Sequence, residues 1–179
     1  MRGARASIAL AFAALLVATL AGCGFRPLYG RHAGDAQVNS ELTAIYIRPL
    51  PDREGQLLHN ALLVRFNPQG AESASRYRLE VSLASNEAPT VLQSDQTASR
   101  ALVTFSVSYR LYEEQIALTS GNFSRVFSYD YVPEQYSNVS ARGDVGRRAA
   151  EEIADQLRDL IAAYFAAGAK ARAAAGQTQ

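Results

Sequence analysis

Two segments of this chain alternate apolar and polar residues, and this alternation restricts the possible folds more than any other feature. Residues 77–84 read YRLEVSLA and residues 101–112 read ALVTFSVSYRLY, so every second side chain is apolar. Because successive side chains of a strand point to opposite faces of a sheet, the pattern predicts two strands with one buried and one solvated face. Residues 85–99 are polar and contain Pro89, so we expect a long loop there, into which the strands can extend.

Two shorter segments predict further strands. Residues 43–50 read TAIYIRPL and are rich in β-branched and aromatic side chains, and Pro49 and Pro51 end this segment. A fourth strand is predicted around Phe123 to Tyr131, with Gly121 as a bulge before it.

Two segments have the apolar spacing of amphipathic helices. The first begins at Asp52 as the predicted N-cap and ends before Pro68, with apolar residues four positions apart at Leu58, Leu62 and Phe66. The second is predicted over residues 142–166, with Ser140 or Asp144 near its start. Its apolar stripe is formed by Val145, Ala149, Ile153, Leu157, Leu160, Ile161 and Tyr164.

These elements follow the order β-α-β-β-β-α, which is an α+β fold. Because each helix has a single apolar stripe, we expect a four-stranded sheet with the two helices packed on one face. The other face of the sheet is expected to be relatively polar and available for contacts.

The N-terminal residues have the layout of an export signal. Arg2 and Arg5 precede an apolar run over residues 8–20, which is too short for a comfortable membrane span and typical of a secretory signal peptide. Cys23 follows this run and is the only cysteine, so the chain forms no intramolecular disulfide. The remaining roles for Cys23 are a buried thiol, a nucleophile, an intermolecular bridge or a modification site.

The residues before Cys23 favour modification. Leu20, Ala21 and Gly22 run directly into Cys23, and this stretch resembles the signal of bacterial lipoproteins. The resemblance implies cleavage between Gly22 and Cys23 and acylation of the new N-terminal cysteine, because two or more acyl chains anchor a protein stably. Gly24, and not aspartate, follows the cysteine, which favours the outer membrane. The alternative is a plain export signal with an incidental cysteine.

The predicted organisation is a signal peptide over residues 1–22, a lipidated tether over 23–41, one α+β domain over 42–166 and a disordered tail over 167–179. The two flanking segments are small, polar or alanine-rich and lack an apolar period. Loss of the signal removes two arginines and no acidic residue, which changes the formal net charge from +1 to −1. A nearly neutral chain gives no indication of nucleic acid as a partner.

Groups for catalysis are scarce in this sequence. Of the two histidines, His32 falls in the predicted tether and His59 on a helix, more consistent with a helix surface than with a site. Acylation would consume the thiol of Cys23, and no metalloprotease, nucleophile-elbow, dinucleotide or P-loop motif occurs. The sequence therefore predicts no catalytic residue, no metal site and no cofactor.

The whole chain after the signal resembles one family. Residues 23–29 read CGFRPLY, residues 92–100 read LQSDQTASR and residues 136–157 read YSNVSARGDVGRRAAEEIADQL. These segments resemble the lipopolysaccharide (LPS) assembly lipoprotein family, LptE, in its alphaproteobacterial form. The resemblance implies a non-enzymatic subunit of the outer-membrane LPS translocon. Such a subunit plugs the large β-barrel of its partner, LptD, supports the assembly of that barrel and contacts LPS.

Contact with LPS would favour arginine, because guanidinium groups bind phosphate. We expect Arg78 and Arg100, both placed beside the loop between the second and third strands, to supply it. The alternative for each is an ordinary surface arginine. Two other functions remain open: a periplasmic adaptor or ligand-binding lipoprotein without a barrel partner, and a lipid-anchored hydrolase, for which no base is found.

Overall fold

The structure is a computed structural model, and it describes residues 33–68, 70, 75–92, 98–130 and 135–176. Seven elements follow one another: α1 (Ala33–Thr43), β1 (Ile45–Ile47), α2 (Asp52–Phe66), β2 (Tyr77–Leu92), β3 (Ala98–Glu113), β4 (Ile116–Asp130) and α3 (Gln135–Gly176). The predicted order is therefore confirmed, with one more helix at its N-terminal end.

The four strands form one sheet in the order β1-β2-β3-β4. β1 runs parallel to β2, with α2 as the connection, whereas the pairs β2–β3 and β3–β4 are antiparallel. β2 and β3 are 16 residues each, so strand replaces most of the loop predicted over residues 85–99. Pairing with β3 continues through Pro89, where the register then shifts, because tertiary pairing overrides the low strand propensity of this stretch.

β4 begins at Ile116, seven residues before the predicted start, and the expected bulge at Gly121 is wrong. Gly121 pairs regularly with Tyr109, and the register shifts instead between Leu111 and Tyr112. A Cβ atom at position 121 would lie 2.9 Å from the Tyr109 ring. The glycine is therefore explained by the close approach of that ring and not by a bulge.

The helices differ from prediction mainly at their ends. α2 has the predicted span, but its N-cap is Pro51 and not Asp52, which has a positive φ of 63°. α1 lies where a tether was predicted, because Leu42 is buried and Val38 packs against the core. α3 begins at Gln135 and continues to Gly176, where disorder was predicted. Its last turns are rich in alanine, the strongest helix former, so low complexity here does not mean disorder.

The core lies between the helices and one face of the sheet. Its fully buried side chains come from all three helices and from β2 and β3; the largest are Phe66, Phe105, Leu42, Leu58, Leu62, Leu79, Leu111, Ile153, Leu157 and Ile161. In α3 the predicted stripe is confirmed except at Leu160 and Tyr164, which are 38% and 37% exposed, while Phe165 packs inward against Tyr77. Among the described helices, none combines the length and apolar character that crossing a membrane requires.

Candidate functional surface

The face of the sheet opposite the helices carries short polar side chains. We call it the outer face; most of the side chains along its middle are exposed, uncharged and small, namely Ser82, Ala84, Asn86, Ser106, Ser108, Ser120, Asn122, Ser124 and Ser128. Val126, which is 58% exposed, and the partly buried Leu102 and Thr104 lie on the same face. Strand alternation places them opposite the buried set, as the sequence predicts. The result is a largely polar surface without charged side chains in its centre, on which Val126 is an exposed apolar side chain.

One end of the outer face is different, because arginines and tyrosines lie side by side there. The strand registers place Tyr46, Arg78 and Tyr112 in one row across β1, β2 and β3. The next row on the same face holds Arg48, Glu80 and Arg110. We call these six residues the arginine patch. The Arg78 guanidinium lies 4.9 Å from the centre of the Tyr112 ring, a cation–π contact that holds the arginine over the sheet.

The patch has more cations than it can neutralise. Arg48 and Arg78 both approach the Glu80 carboxylate, at 3.4 and 3.5 Å, so two guanidinium groups share one carboxylate. Arg110 is exposed and forms no ion pair with the described part of the chain, and the buried Nε of Arg78 has no hydrogen-bond acceptor. Excess positive charge and an unsatisfied donor are features that suit an anionic oxygen ligand such as phosphate.

A second group of charges lies on the helix side of the same sheet end. Arg76 donates to Glu113 at 2.6 Å, and the Tyr77 hydroxyl donates to Glu41 of α1 at 2.9 Å. Burial, together with the hydrogen bond to Glu41, raises the pKa of Tyr77 to about 12. The Tyr77–Glu41 contact joins α1 to the start of β2, and the Arg76–Glu113 contact joins the start of β2 to the end of β3.

The structure does not bring Arg78 and Arg100 together. Arg100 pairs in register with Val91, thirteen residues along β2 from Arg78, which corresponds to about 40 Å of strand. Only Arg100 is close to the β2–β3 connection, and its guanidinium forms two hydrogen bonds to Asp130, of 3.0 and 2.9 Å. The expectation of one site from both arginines is therefore wrong, because the strands are much longer than predicted.

Sequence reasoning missed a cluster that ties the helices to the sheet. Arg142 of α3 donates to Glu87 of β2 at 3.0 Å and also pairs with Glu54 of α2, and its guanidinium lies 5.5 Å from the Phe105 ring centre. Tyr129 of β4 donates to the other oxygen of Glu87 at 2.5 Å. Their sequence separations of 42 to 88 residues leave no local signal, so only the fold brings them together.

The other candidates contribute little chemistry. His59 is half-buried and lies 3.3 Å from the Ile47 carbonyl, as a helix residue facing β1. Within the described ranges, no group of histidine, cysteine and acidic side chains could hold a metal ion. Gly22, Cys23 and His32 lie outside the described residues, so the lipidation site and its tether stay predictions.

Solved structures share this fold. A lipoprotein structure from Caulobacter crescentus matches 73% of this chain and 97% of its own, with 24% identity and a TM-score of 0.61. A minor lipoprotein from Acinetobacter baumannii matches 66% of this chain and 88% of its own, with 16% identity and a TM-score of 0.50. At these identities the likeness establishes the fold alone. No curated protein matches the chain.

A family model identifies the chain more specifically. Residues 42–161 match the model described as "LptE: Lipopolysaccharide-assembly". This range begins at the end of α1 and includes the whole sheet, α2 and most of α3, and so it covers both the arginine patch and the Arg142 cluster. The chain therefore belongs to the LptE family and has a role in lipopolysaccharide assembly.

Proposed function

We propose that the chain is an outer-membrane lipoprotein, anchored through acylated Cys23, that occupies the lumen of an LptD-type β-barrel. There it supports the folding of the barrel and contacts LPS on its way to the outer leaflet. It does this by binding and not by catalysis. The observation that carries the proposal is the family match over residues 42–161, and the resemblance of residues 20–23 to a lipoprotein signal supports it.

The outer face is compatible with such a location. The lumen of a large barrel is polar and wet, and interfaces of this kind tolerate hydroxyl and amide side chains with bridging water. Small uncharged side chains also avoid the desolvation cost that buried lysine or glutamate would impose. A stable complex of the tagged full chain with a very large β-barrel protein, purified from outer membranes, supports this function. Purification without any barrel protein favours an adaptor or ligand-binding lipoprotein.

For LPS we propose that the arginine patch is the main contact, with Arg78 at its centre. Phosphate groups on LPS would pair with guanidinium groups whose positive charge the single carboxylate of Glu80 does not balance. The Tyr112 ring and the sheet hold Arg78 in place for this contact. Arg100 stays a proposed contact of its own at the other end of the sheet, where LPS would have to compete with Asp130.

The test measures LPS binding by the purified mature chain. Because the Arg78 side chain is 37% exposed, we expect Arg78→Ala to weaken binding by about fivefold, or roughly 1 kcal/mol, and added salt to reproduce part of the loss. Arg100→Ala, tested separately, should have a smaller effect. Arg148→Ala, an exposed arginine on α3, is the control. Arg158 is unsuitable as a control, because it bonds to the Arg65 carbonyl and to Asn39.

Equal binding by Arg78→Ala and the wild type would remove the patch from the proposal. An equal loss of binding in Arg148→Ala would also contradict the patch, because the effect would then come from the net charge of the chain and not from the position of Arg78. The melting temperature of each variant shows whether the fold is intact.

A further inference from the structure

The two edges of the sheet are protected to very different degrees. β1, at one edge, is only three residues long and is followed by Pro49 and Pro51. β4, at the other edge, is 15 residues long and contains neither proline nor lysine. Among the described residues β4 pairs with β3 alone. Natural sheets blunt their edges with short strands, proline, bulges or charged side chains, including charges on the inward face. Before its terminal Asp130, β4 carries one such charge, Arg125, so most of its length remains a template for another strand.

The helix-side face of β4 is incompletely covered. Phe123 and Phe127 are only partly buried, whereas their partners in register on β3, Val107 and Val103, are 2% and 0% exposed. The apolar face of the sheet thus continues to the edge, where the cover provided by the helices becomes incomplete. One more strand, about 4.8 Å beyond β4, would place side chains beside both phenylalanines and remove them from water.

Arg125 indicates the chemistry of such a strand. It lies between Phe123 and Phe127 on the same face, and its buried Nε is 3.2 Å from the Glu152 carboxylate without forming a hydrogen bond. A carboxylate on an added strand could accept that bond. A second copy of β4 cannot supply one, because the only acidic residue of β4 is Asp130, at its end and paired with Arg100.

We propose that the free edge of β4 binds an extended segment of a partner protein as a fifth strand of the sheet. Alternate residues of that segment are apolar and lie beside Phe123 and Phe127, with a carboxylate beside Arg125. Its other residues lie level with the outer face, beside Ser120, Asn122, Ser124, Val126 and Ser128 of β4. The proposal concerns the mode of binding and does not depend on which protein supplies the segment.

The test uses the purified mature chain and a short synthetic peptide that alternates valine and serine and has one glutamate in place of its central valine. Amide hydrogen exchange is followed along both edges. We expect the peptide to slow the exchange of amides between Gly121 and Ser128 and to leave β1 unchanged. Replacing the peptide glutamate with lysine should weaken binding by about fivefold, the effect of one cross-strand charge pair.

Two variants of the chain complete the experiment. Arg125→Gln should abolish the preference for glutamate over lysine in the peptide. Ser106→Lys, on the outer face of β3 and in register with Ser124, should leave binding unchanged, because it lies one strand away from the edge. The comparison of the glutamate and lysine peptides uses the wild-type chain, so it remains valid even if a variant fails to fold.

Several results would overturn the proposal: no protection of β4, equal binding of both peptides, or a loss of binding in Ser106→Lys. Protection of β4 that rises with the concentration of the chain alone would also overturn it, since a second copy would then be the occupant. None of these outcomes depends on whether a barrel protein copurifies, so this proposal and the proposed function fail separately.

Discussion

Tyr77 shows how the fold sets the chemistry of a single residue. It is 4% exposed, donates a hydrogen bond to Glu41 and packs against Phe165, with ring centres 5.0 Å apart. These surroundings favour the neutral phenol, which is why the pKa of Tyr77 is raised from 10.0 to about 12. The neutral phenol thereby joins α1, the start of β2 and the C-terminal half of α3.

This pKa predicts a loss of stability in alkaline solution. A raised pKa in the folded state means that the contribution is complete below pH 10 and is lost as the pH rises towards 12. We expect the free energy of unfolding to fall by about 2 kcal/mol across this range because of Tyr77. Chemical denaturation at several pH values measures it. The decrease in the free energy of unfolding between pH 10 and 12 should be smaller in Tyr77→Phe than in the wild type, and unchanged in Tyr46→Phe. An equal decrease in the wild type and both variants would contradict the role given to Tyr77.

Cys23 is the predicted site of lipid attachment. If the segment ending at Gly22 is a lipoprotein signal, the mature chain begins at an acylated Cys23, and Cys23→Ser blocks processing because the thiol is the site of lipid attachment. Mass spectrometry of the mature N-terminus tests this directly. An unmodified cysteine, or cleavage at another residue, would refute the anchor.

At the scale of elements, the Arg142 cluster joins pieces that are distant in sequence. The guanidinium group links α3 to α2 through Glu54 and to β2 through Glu87, and Tyr129 adds β4 to the same group. The side chains of Arg142 and Glu54 are 25% and 28% exposed, so solvent screens the cluster only partly. The cluster is thus a polar link between two helices, α2 and α3, and two strands, β2 and β4.

Removing this guanidinium group should destabilise the chain. Arg142→Met leaves two carboxylates without their cation, and we expect a loss of about 2 kcal/mol, less than for a fully buried pair because of the partial exposure. Arg148→Met, an exposed change on the same helix, should stay within about 0.5 kcal/mol of the wild type. Urea denaturation compares the two; equal losses would mean that the cluster has no special role.

The elements also show which features a sequence reveals. The apolar periods of β2, β3, α2 and α3 predict the buried faces well, because burial itself selects that pattern. The ends of elements depend on partners elsewhere in the chain: α1 forms against α3, and the polar halves of β2 and β3 stay paired with each other. The sequence places Arg78 beside the β2–β3 loop, whereas the registers of β1 and β3 place it at the other end of β2, beside Arg48 and Arg110. No local signal in the sequence indicates this arrangement, because the three arginines lie on different strands.

At the scale of the whole molecule, one sheet presents surfaces of different character. The helix side forms the core, the middle of the outer face is uncharged, and the arginine patch lies at the end of that face where β1 pairs with β2. The edge of β4 adds a surface suited to an extended strand. In the proposed function, contact with a barrel protein and contact with a phosphate-bearing lipid would use these surfaces separately.

Depletion of the chain from the cells that make it shows whether the chain supports the barrel and LPS export. The measured quantities are the amount of correctly folded LPS-exporting barrel in the outer membrane and the amount of LPS at the cell surface. If the chain supports the barrel, both should fall on depletion, and the cells should become permeable to bulky antibiotics. Unchanged levels of folded barrel together with unchanged surface LPS would contradict the account.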